Sequence, residues 1–372
     1  MAASYNILLY AFFVFTGIQL LYYLIVFTRN LGKSVSTHKI SEGVSVIICA
    51  RNERKNLEEH LHKFLEQDFP EFEVIVVNDG STDGTTALLE ELEKENKKLK
   101  LVQLDIDEKY YRGKKFALTI GIKAAKYEIV LLSDADCHPI GKDWISKMTS
   151  GFGNPQTEII LGLGHYDKRN RPLNWMIQLD TFHTAFMYTN FSKMGNSYMG
   201  VGRNLAYRKP LFFKFKGYAS HQHIMGGDDD LFVNEASTKT NTEVCLDPGS
   251  YTISQAHTSF RKWSKQKLRH ISTSSAYKTN DKLALGMYSL SLIALYIILA
   301  ILLSAQFQWV IVLSVFGFRF LVQSVILPVN MYKLGFKNYI PLYILFDPFW
   351  ILMYLYLGVR SVFYSSKPKS WS

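Results

Sequence analysis

Between Tyr5 and Phe27 the chain runs without a charged side chain. That is longer than the roughly 20 apolar residues needed to cross a bilayer. Inside hydrocarbon a single segment can satisfy its backbone N–H and C=O groups only as a helix. The run therefore predicts a membrane-spanning anchor. A cleaved signal peptide is the competing reading, but Met1-Ala2-Ala3-Ser4 carries no basic residue and Phe27-Thr28-Arg29-Asn30 offers no small-residue cleavage site. Two further spans are expected over Leu283–Ala305 and Gln308–Val329, and a third apolar stretch, Tyr339–Val359, is broken by Asp347-Pro348. Arg29, Lys33 and Lys39 follow the first span, and Arg261, Lys262, Lys265, Lys267, Arg269, Lys278 and Lys282 precede the second. Positive charge marks cytoplasmic flanks, so the amino terminus is expected outside and the intervening region in the cytoplasm. A full third C-terminal crossing would put Arg360, Lys367 and Lys369 outside; a kinked hairpin or interfacial helix would keep them inside, and both remain open. Arg319 and Gln323 fall at membrane depth, where an ionisable group needs a partner, and Asp347 is the expected one.

Between the spans the pattern changes. The β-branched run Val44–Glu53 reads as a strand that ends in polar residues and leads into an amphipathic helix from about Asn56 to Gln67. A strand Glu73–Val77, the turn Asn78–Gly84, a helix Thr85–Glu95 and a strand Leu99–Leu104 follow. Strands alternating with helices of this length predict βαβ units and a parallel, doubly wound α/β sheet. Gly80 and Gly84 permit a tight turn, while Ser81 and Asp83 suit helix N-caps. The apolar run Glu128–Ser133 reads as a buried strand ending in Asp134-Ala135-Asp136. Open α/β sheets bind ligands at the carboxyl ends of their strands. Residues i and i+2 of an extended segment point the same way, so both carboxylates can face one divalent cation and a diphosphate.

Five ordered segments carry a family resemblance: Val46–Glu53, Val77–Asp83, Gly113–Leu118, Ser133–Asp136 and Gly227–Leu231. Together, across about Val44 to Arg269, the chain resembles the family 2 glycosyltransferases, whose GT-A fold is a Rossmann-like, mostly parallel α/β sheet. The resemblance implies that Ala50, Arg51, Glu53 and Asp79 hold the nucleotide base and ribose and that Lys114 lies near the diphosphate. It implies that Asp134 and Asp136 hold Mg²⁺ or Mn²⁺, with His257 as a further candidate metal ligand. Gly202, Arg203 and Asn204 match a segment lining the donor-sugar and acceptor pocket. Gln266 and Arg269, one helical turn apart, share a face that can reach the diphosphate. Where many membrane-bound members carry Gln-x-x-Arg-Trp, this chain has His270 for the aromatic residue, which argues against a processive, polymer-extruding role.

A base is expected in Gly227-Asp228-Asp229-Asp230-Leu231. Registering the motif on Leu231 puts it at Asp228, the preferred reading; taking the first two aspartates as the family's Glu-Asp puts it at Asp229. Three adjacent carboxylates repel, so at least one should titrate high. Asp230 suits a helix N-terminus.

The net charge of +10 fits an anionic membrane surface, and no nucleic-acid motif accompanies it. Three distant cysteines make neither a disulfide framework nor a zinc site and suit a reducing cytosol. The expected organisation is an anchor over residues 1–28, a juxtamembrane linker over 29–43, a nucleotide-sugar half over 44–160, an acceptor-binding catalytic half over 161–282 and a membrane region over 283–372. The expected activity is metal-dependent, inverting transfer from a nucleotide diphosphate sugar, UDP-linked by expectation, to a lipid-linked or other membrane-proximal glycan acceptor. A processive polysaccharide synthase and a catalytically silent nucleotide-sugar-binding scaffold are the alternatives.

Overall fold

The computed structural model describes residues 2–32, 39–104 and 113–363. Lys33, Lys367 and Lys369, which entered the charge argument, lie outside them. The chain begins with helix α1 (Ala2–Leu21), prolonged by a π-helical turn at Tyr22–Val26 and a 3₁₀ turn at Arg29–Leu31. It then alternates: β1 (Val44–Ala50), α2 (Arg54–Leu65), β2 (Phe72–Asp79), α3 (Thr85–Glu95), β3 (Leu99–Leu104), α4 (Lys114–Ala124) and β4 (Ile129–Asp134). The alternation and the β3 bounds agree with the sequence reading, whereas β1 stops at Ala50, ahead of the polar Arg51-Asn52-Glu53. The first helix starts two residues earlier than expected, and β2 extends through Asn78 and Asp79, which were assigned to the turn. Asp83 does cap: its carboxylate accepts from the backbone N–H of Thr85 at 3.0 Å and from that of Arg54 at 3.1 Å, so one side chain closes the starts of α3 and α2. Ser81 instead receives the Asn52 N–H at 2.9 Å, tying the loop after β1 to the loop after β2.

The second half is built of shorter pieces: β5 (Cys137–Pro139), α5 (Trp144–Thr149), β6 (Ile159–Leu161), β7 (Gly164–Tyr166), the long α6 (Pro172–Lys193), β8 (Leu205–Arg208), α7 (Lys209–Lys214), α8 (Asp230–Ala236), β9 (Thr242–Val244), β10 (Thr252–Ser254) and α9 (Phe260–Thr273). A seven-stranded sheet has the order β3-β2-β1-β4-β8-β6-β9, and β5-β10-β7 form a small second sheet. In the large sheet only β8 runs against its neighbours. All seven residues of β1 are buried because both faces are covered: Ile47 and Cys49 face one apolar cluster, Val44, Val46 and Ile48 the other.

The first of those clusters does not stop at the sheet. It continues through Phe182 and Phe186 of α6 into Tyr23, Val26 and Phe27 of the anchor and Tyr288 of α10 (Thr279–Ser304). With α11 (Trp309–Lys333) and the segment Lys337–Val362 that ends in α12 (Phe346–Val362), these helices make, among the described residues, four segments long and apolar enough to cross a membrane. Their outward side chains, such as Leu290, Leu321 and Val325, are about two-thirds exposed, as a lipid-facing surface would be. The last apolar stretch is a 3₁₀ segment, Lys337–Leu345, passing directly into α12. Its break falls at Leu345–Phe346, so Asp347 and Pro348 occupy the first turn of α12, where proline's missing N–H costs nothing. Asn30 donates to Thr189 at 2.8 Å and to Asn330 at 3.2 Å, fastening anchor, α6 and α11 together.

Candidate active site

The carboxyl ends of β1 and β4 open into one cleft of about 1250 Å³, and Glu53, Lys114, Asp134, Asp136, Asp228, Asp229, Arg203, Gln266 and Arg269 all line it. Residues up to 216 positions apart in sequence thus share one chamber. Asp134 ends β4, but Ala135 and Asp136 form a turn before β5. The two carboxylates therefore converge through the turn rather than by strand alternation as expected. Ligand atoms of Asp134, Asp136 and Cys137 lie within 4.8 Å of one another. Burial, then Asp134, raises the Asp136 carboxyl, with Arg203 and Lys114 offsetting only part of the rise. Burial likewise pushes the Cys137 thiol well up, so it stays protonated, and it donates to Asp136 at 3.3 Å. Two carboxylates with a protonated thiol beside them suit a hard, oxygen-seeking cation such as Mg²⁺ or Mn²⁺ rather than zinc.

His257 is not part of that cluster among the described residues. It sits in the loop between β10 and α9, where its ring interacts with Gln266 and feels Asp136 from a distance. Cys137, adjacent to the expected pair, takes the third place; its position right after Asp136 was the available signal.

Lys114, the first residue of α4, bridges two halves of the site. Its ammonium is 2.8 Å from Asp134 and 2.9 Å from Asp228. Next to it, burial brings the Lys115 amine down to about 8, and that group donates to the carbonyls of His221 at 2.6 Å and Ile224 at 3.0 Å. The two lysines differ in role: Lys114 faces the cleft, and Lys115 stitches α4 to the loop before α8.

That loop ends in Gly226 and Gly227, at φ of +81° and +78°. A side chain at 227 would also meet Leu231 at 2.5 Å, so glycine is required for the turn that delivers the three aspartates. They then separate. Burial raises Asp228, but Lys114 outweighs it and the carboxyl ends up lower than usual. Burial and the flanking Asp228 and Asp230 push Asp229 up to about 7. Its oxygens accept from the N–H of Gly202 at 2.7 Å and of Asp230 at 2.8 Å, which fixes the carboxylate in place. Asp230 begins α8 as expected, and its side chain takes hydroxyl donors from Thr273 and, at 2.8 Å, Tyr277.

Other residues expected to hold the donor are buried or engaged by neighbouring protein groups. Ala50 is fully buried opposite Asn78. Asn204 is fully buried, donating to the carbonyls of Leu163 and Ser250 at 2.9 and 2.7 Å and accepting from the Trp144 indole at 3.1 Å, so it braces β8 rather than facing the cleft. Gly202 serves through its N–H on Asp229. Arg203 lines the cleft, yet its guanidinium is held by Ser254 at 2.5 Å and the Gly164 carbonyl at 3.1 Å and lies over Tyr166. Arg51 pairs with Asp79 at 3.8 Å across the ends of β1 and β2. Burial raises the Glu53 carboxyl, which accepts from Asn56 at 2.5 Å. His270 lines the cleft where a tryptophan stands in many membrane-bound members.

Comparison with known proteins identifies the domain that holds the first half of this site. Residues 45–214 match the glycosyl transferase family 2 profile. The chain carries a family 2 glycosyltransferase domain. A poly-beta-1,6-N-acetyl-D-glucosamine synthase of Staphylococcus epidermidis is 35% identical over 119 residues, 31% of this chain and 28% of that protein. An uncharacterized glycosyltransferase of Haemophilus influenzae is 37% identical over 124 residues, 33% of this chain and 36% of that one. The chain thus matches about a third or less of the length of these curated relatives. Among solved structures, the mannosyltransferase PcManGT of Pyrobaculum calidifontis, determined with GDP-Man and Mn²⁺, superposes with a TM-score of 0.61 over 96% of this chain and 98% of that one, at 19% identity. The GT-A-like fold, membrane helices included, is therefore shared well beyond the matched domain.

Proposed function

We propose that the protein is a metal-dependent, inverting glycosyltransferase that moves a sugar from a nucleotide diphosphate, UDP-linked in our reading, to a membrane-proximal glycan acceptor. The observation that carries this is the meeting of the Asp134–Asp136 pair and the Asp228–Asp229 pair across Lys114 in one cleft. A cation held by Asp134 and Asp136 would take up the charge that develops on a diphosphate leaving group. Lys114, freed from its carboxylates when that cation arrives, places a second positive charge beside the phosphates. Arg51, Glu53 and Asp79, at the ends of β1 and β2, border the position for the nucleoside, and Gln266 and Arg269 face the diphosphate from α9.

For the base, two readings were open at the sequence, and the geometry favours Asp229 over Asp228. Asp228 is engaged by a cation and titrates low, whereas Asp229 has an affinity for protons near neutrality and a carboxylate oriented by two backbone donors. Asp229 takes the proton of the acceptor hydroxyl as that oxygen bonds to the anomeric carbon. The bond from carbon to diphosphate oxygen breaks on the opposite face, and the nucleoside diphosphate leaves with its electron pair, giving inversion by single displacement. His270 in place of a stacking tryptophan supports single transfers rather than processive extension. The arginines and lysines flanking α1 and α10 support a cytoplasmic cleft and an N-terminal end of the anchor outside.

The test is to incubate the detergent-solubilised full chain with radiolabelled UDP- and GDP-sugars, Mn²⁺ or Mg²⁺ and a membrane lipid extract. A UDP-sugar should deliver label to the extract, and EDTA should stop it. Absence of transfer from every donor, with nucleotide binding intact, would leave the scaffold reading standing instead.

A further inference from the structure

The cleft continues past the metal-ligating carboxylates. Its 1250 Å³ exceeds the roughly 300–1,000 Å³ of a single small-molecule site. Asp180 and His183 of α6, Trp263 and Lys267 of α9, Ser289 of α10 and Tyr354 of α12 line it as an arm, and none of these six has a part in holding the donor. Depth is the first observation. Ser289 lines the cleft seven residues beyond Lys282, the last charged residue of α10, and Tyr354 lines it six residues before Arg360 on α12. At 1.5 Å per residue each lies about 10 Å inside its uncharged segment, roughly a third of the way through a hydrocarbon core about 30 Å thick. A water-soluble acceptor has no need of a cavity at that depth.

The second observation is buried polar chemistry without a protein partner. Trp263 lines the arm at 1% exposure, and its indole N–H has no acceptor among the described residues. Asp180 of α6, 5% exposed, is met by Lys267 of α9 at 2.8 Å, and both also line the cleft. Buried donors are ordinarily paired, so the Trp263 N–H has the character of a donor awaiting a hydroxyl. A carboxylate, an ammonium and an unpaired N–H lining one cavity suit the many hydroxyls of a saccharide.

We propose that this arm is the acceptor subsite and that its occupant is a saccharide carried on a membrane lipid. Its hydroxyls meet Asp180, Lys267 and the Trp263 N–H, and its lipid portion leaves past Ser289 and Tyr354. The placement rests on the glycosyl-transfer reading above. A free oligosaccharide offers the same hydroxyl chemistry, so the test must separate the two sources.

The full chain in nanodiscs is given radiolabelled donor sugar with Mn²⁺ and either a membrane lipid extract or the delipidated aqueous oligosaccharide fraction, and UDP affinity is measured in parallel. Label should enter only the lipid extract. Trp263→Phe, which keeps the ring and removes the N–H, should raise KM for the lipid acceptor about tenfold, the loss of one hydrogen bond from a buried donor, with UDP affinity unchanged. Ser289→Trp should block transfer to lipid with UDP affinity unchanged. If Ser289→Trp loses UDP binding through misfolding, Ser289→Leu and Trp263→Phe decide the matter. Wild-type kinetics in Trp263→Phe and the Ser289 variant, or equal labelling of the aqueous fraction, would overturn the placement. A wild-type protein that fails to bind UDP with Mn²⁺ would overturn the transferase reading along with it.

Discussion

Two buried clusters of opposite charges lie in this molecule, and they behave differently. In the cleft, Lys114 sits between Asp134 and Asp228 with about a quarter of its side chain exposed. In the membrane bundle, Arg319 and Asp347 are sealed at 0% and 1% exposure. There Arg319 donates to Asp347, to Gln323 and, at 3.0 Å, to Gln19 of α1, while Tyr296 donates to Asp347 at 3.0 Å. The expected partnership of Arg319 with Asp347 is present, and it draws together α1, α10, α11 and α12. The chemistry of the two clusters is the same, but access differs. A cation that can be exchanged for another, in a chamber open to ligands, is suited to catalysis; one enclosed by protein on every side is suited to holding helices. Removing a charge from the first should cost turnover, and from the second, folding.

The largest effect is expected at the metal pair. Asp136→Ala should abolish transfer even at saturating donor and millimolar Mn²⁺, with the folded yield unchanged because the residue borders a cleft; near wild-type turnover would contradict the assignment. Next, Asp229→Asn should lower turnover by roughly 10²- to 10⁴-fold, the usual contribution of a general base. Asp228→Asn should cost less, since it loses a charge partner of Lys114 rather than the proton acceptor. Reversal of that order would move the base to Asp228, and equal small losses would remove both.

In the bundle, Arg319→Ala leaves a buried carboxylate unpaired, worth about 3–5 kcal/mol out of the 5–15 kcal/mol that typically separates folded from unfolded. Folded yield should collapse. The double reversal Arg319→Asp with Asp347→Arg should recover it, and recovery of folding without transfer would instead place Arg319 on the acceptor. The smallest effect is graded with pH. Because Asp229 is raised to about 7, it becomes an available base only as pH rises through that value, so transfer should fall about tenfold per pH unit below it. The same shift makes the native state bind more protons than the unfolded chain between about pH 4 and 7. Its contribution to stability therefore declines as pH rises across that window. A flat rate profile from pH 5 to 8 would detach the proton transfer from Asp229.

The sequence was most legible where one residue pattern had one physical solution. Uncharged runs of membrane length had to be helices, and the buried β1, β2 and β4 had to be apolar on both faces. The second half was harder to read. Strands β5 to β10 are three or four residues long, too short for periodicity to show. Helix α6 is buried on nearly every side, so it has no polar stripe to mark it, although Asp180 within its apolar surroundings was a visible irregularity. Asn204 illustrates a different limit: its type suits a sugar contact or a buried brace, and only the positions of Leu163, Ser250 and Trp144 decide between them. Cys137 comes beside Asp134 and Asp136 through a turn whose path the two aspartates alone do not specify.

The central claim, that Asp134 and Asp136 form a cation site serving a nucleotide diphosphate, is tested most directly by calorimetric titration of UDP into the purified full chain. Mn²⁺ and EDTA conditions are compared for the wild type and Asp136→Ala. The account predicts tight binding that depends on Mn²⁺ in the wild type and loses that dependence in the variant. Equal UDP affinity with and without Mn²⁺ in the wild type, or an unchanged Mn²⁺ dependence in Asp136→Ala, would contradict it.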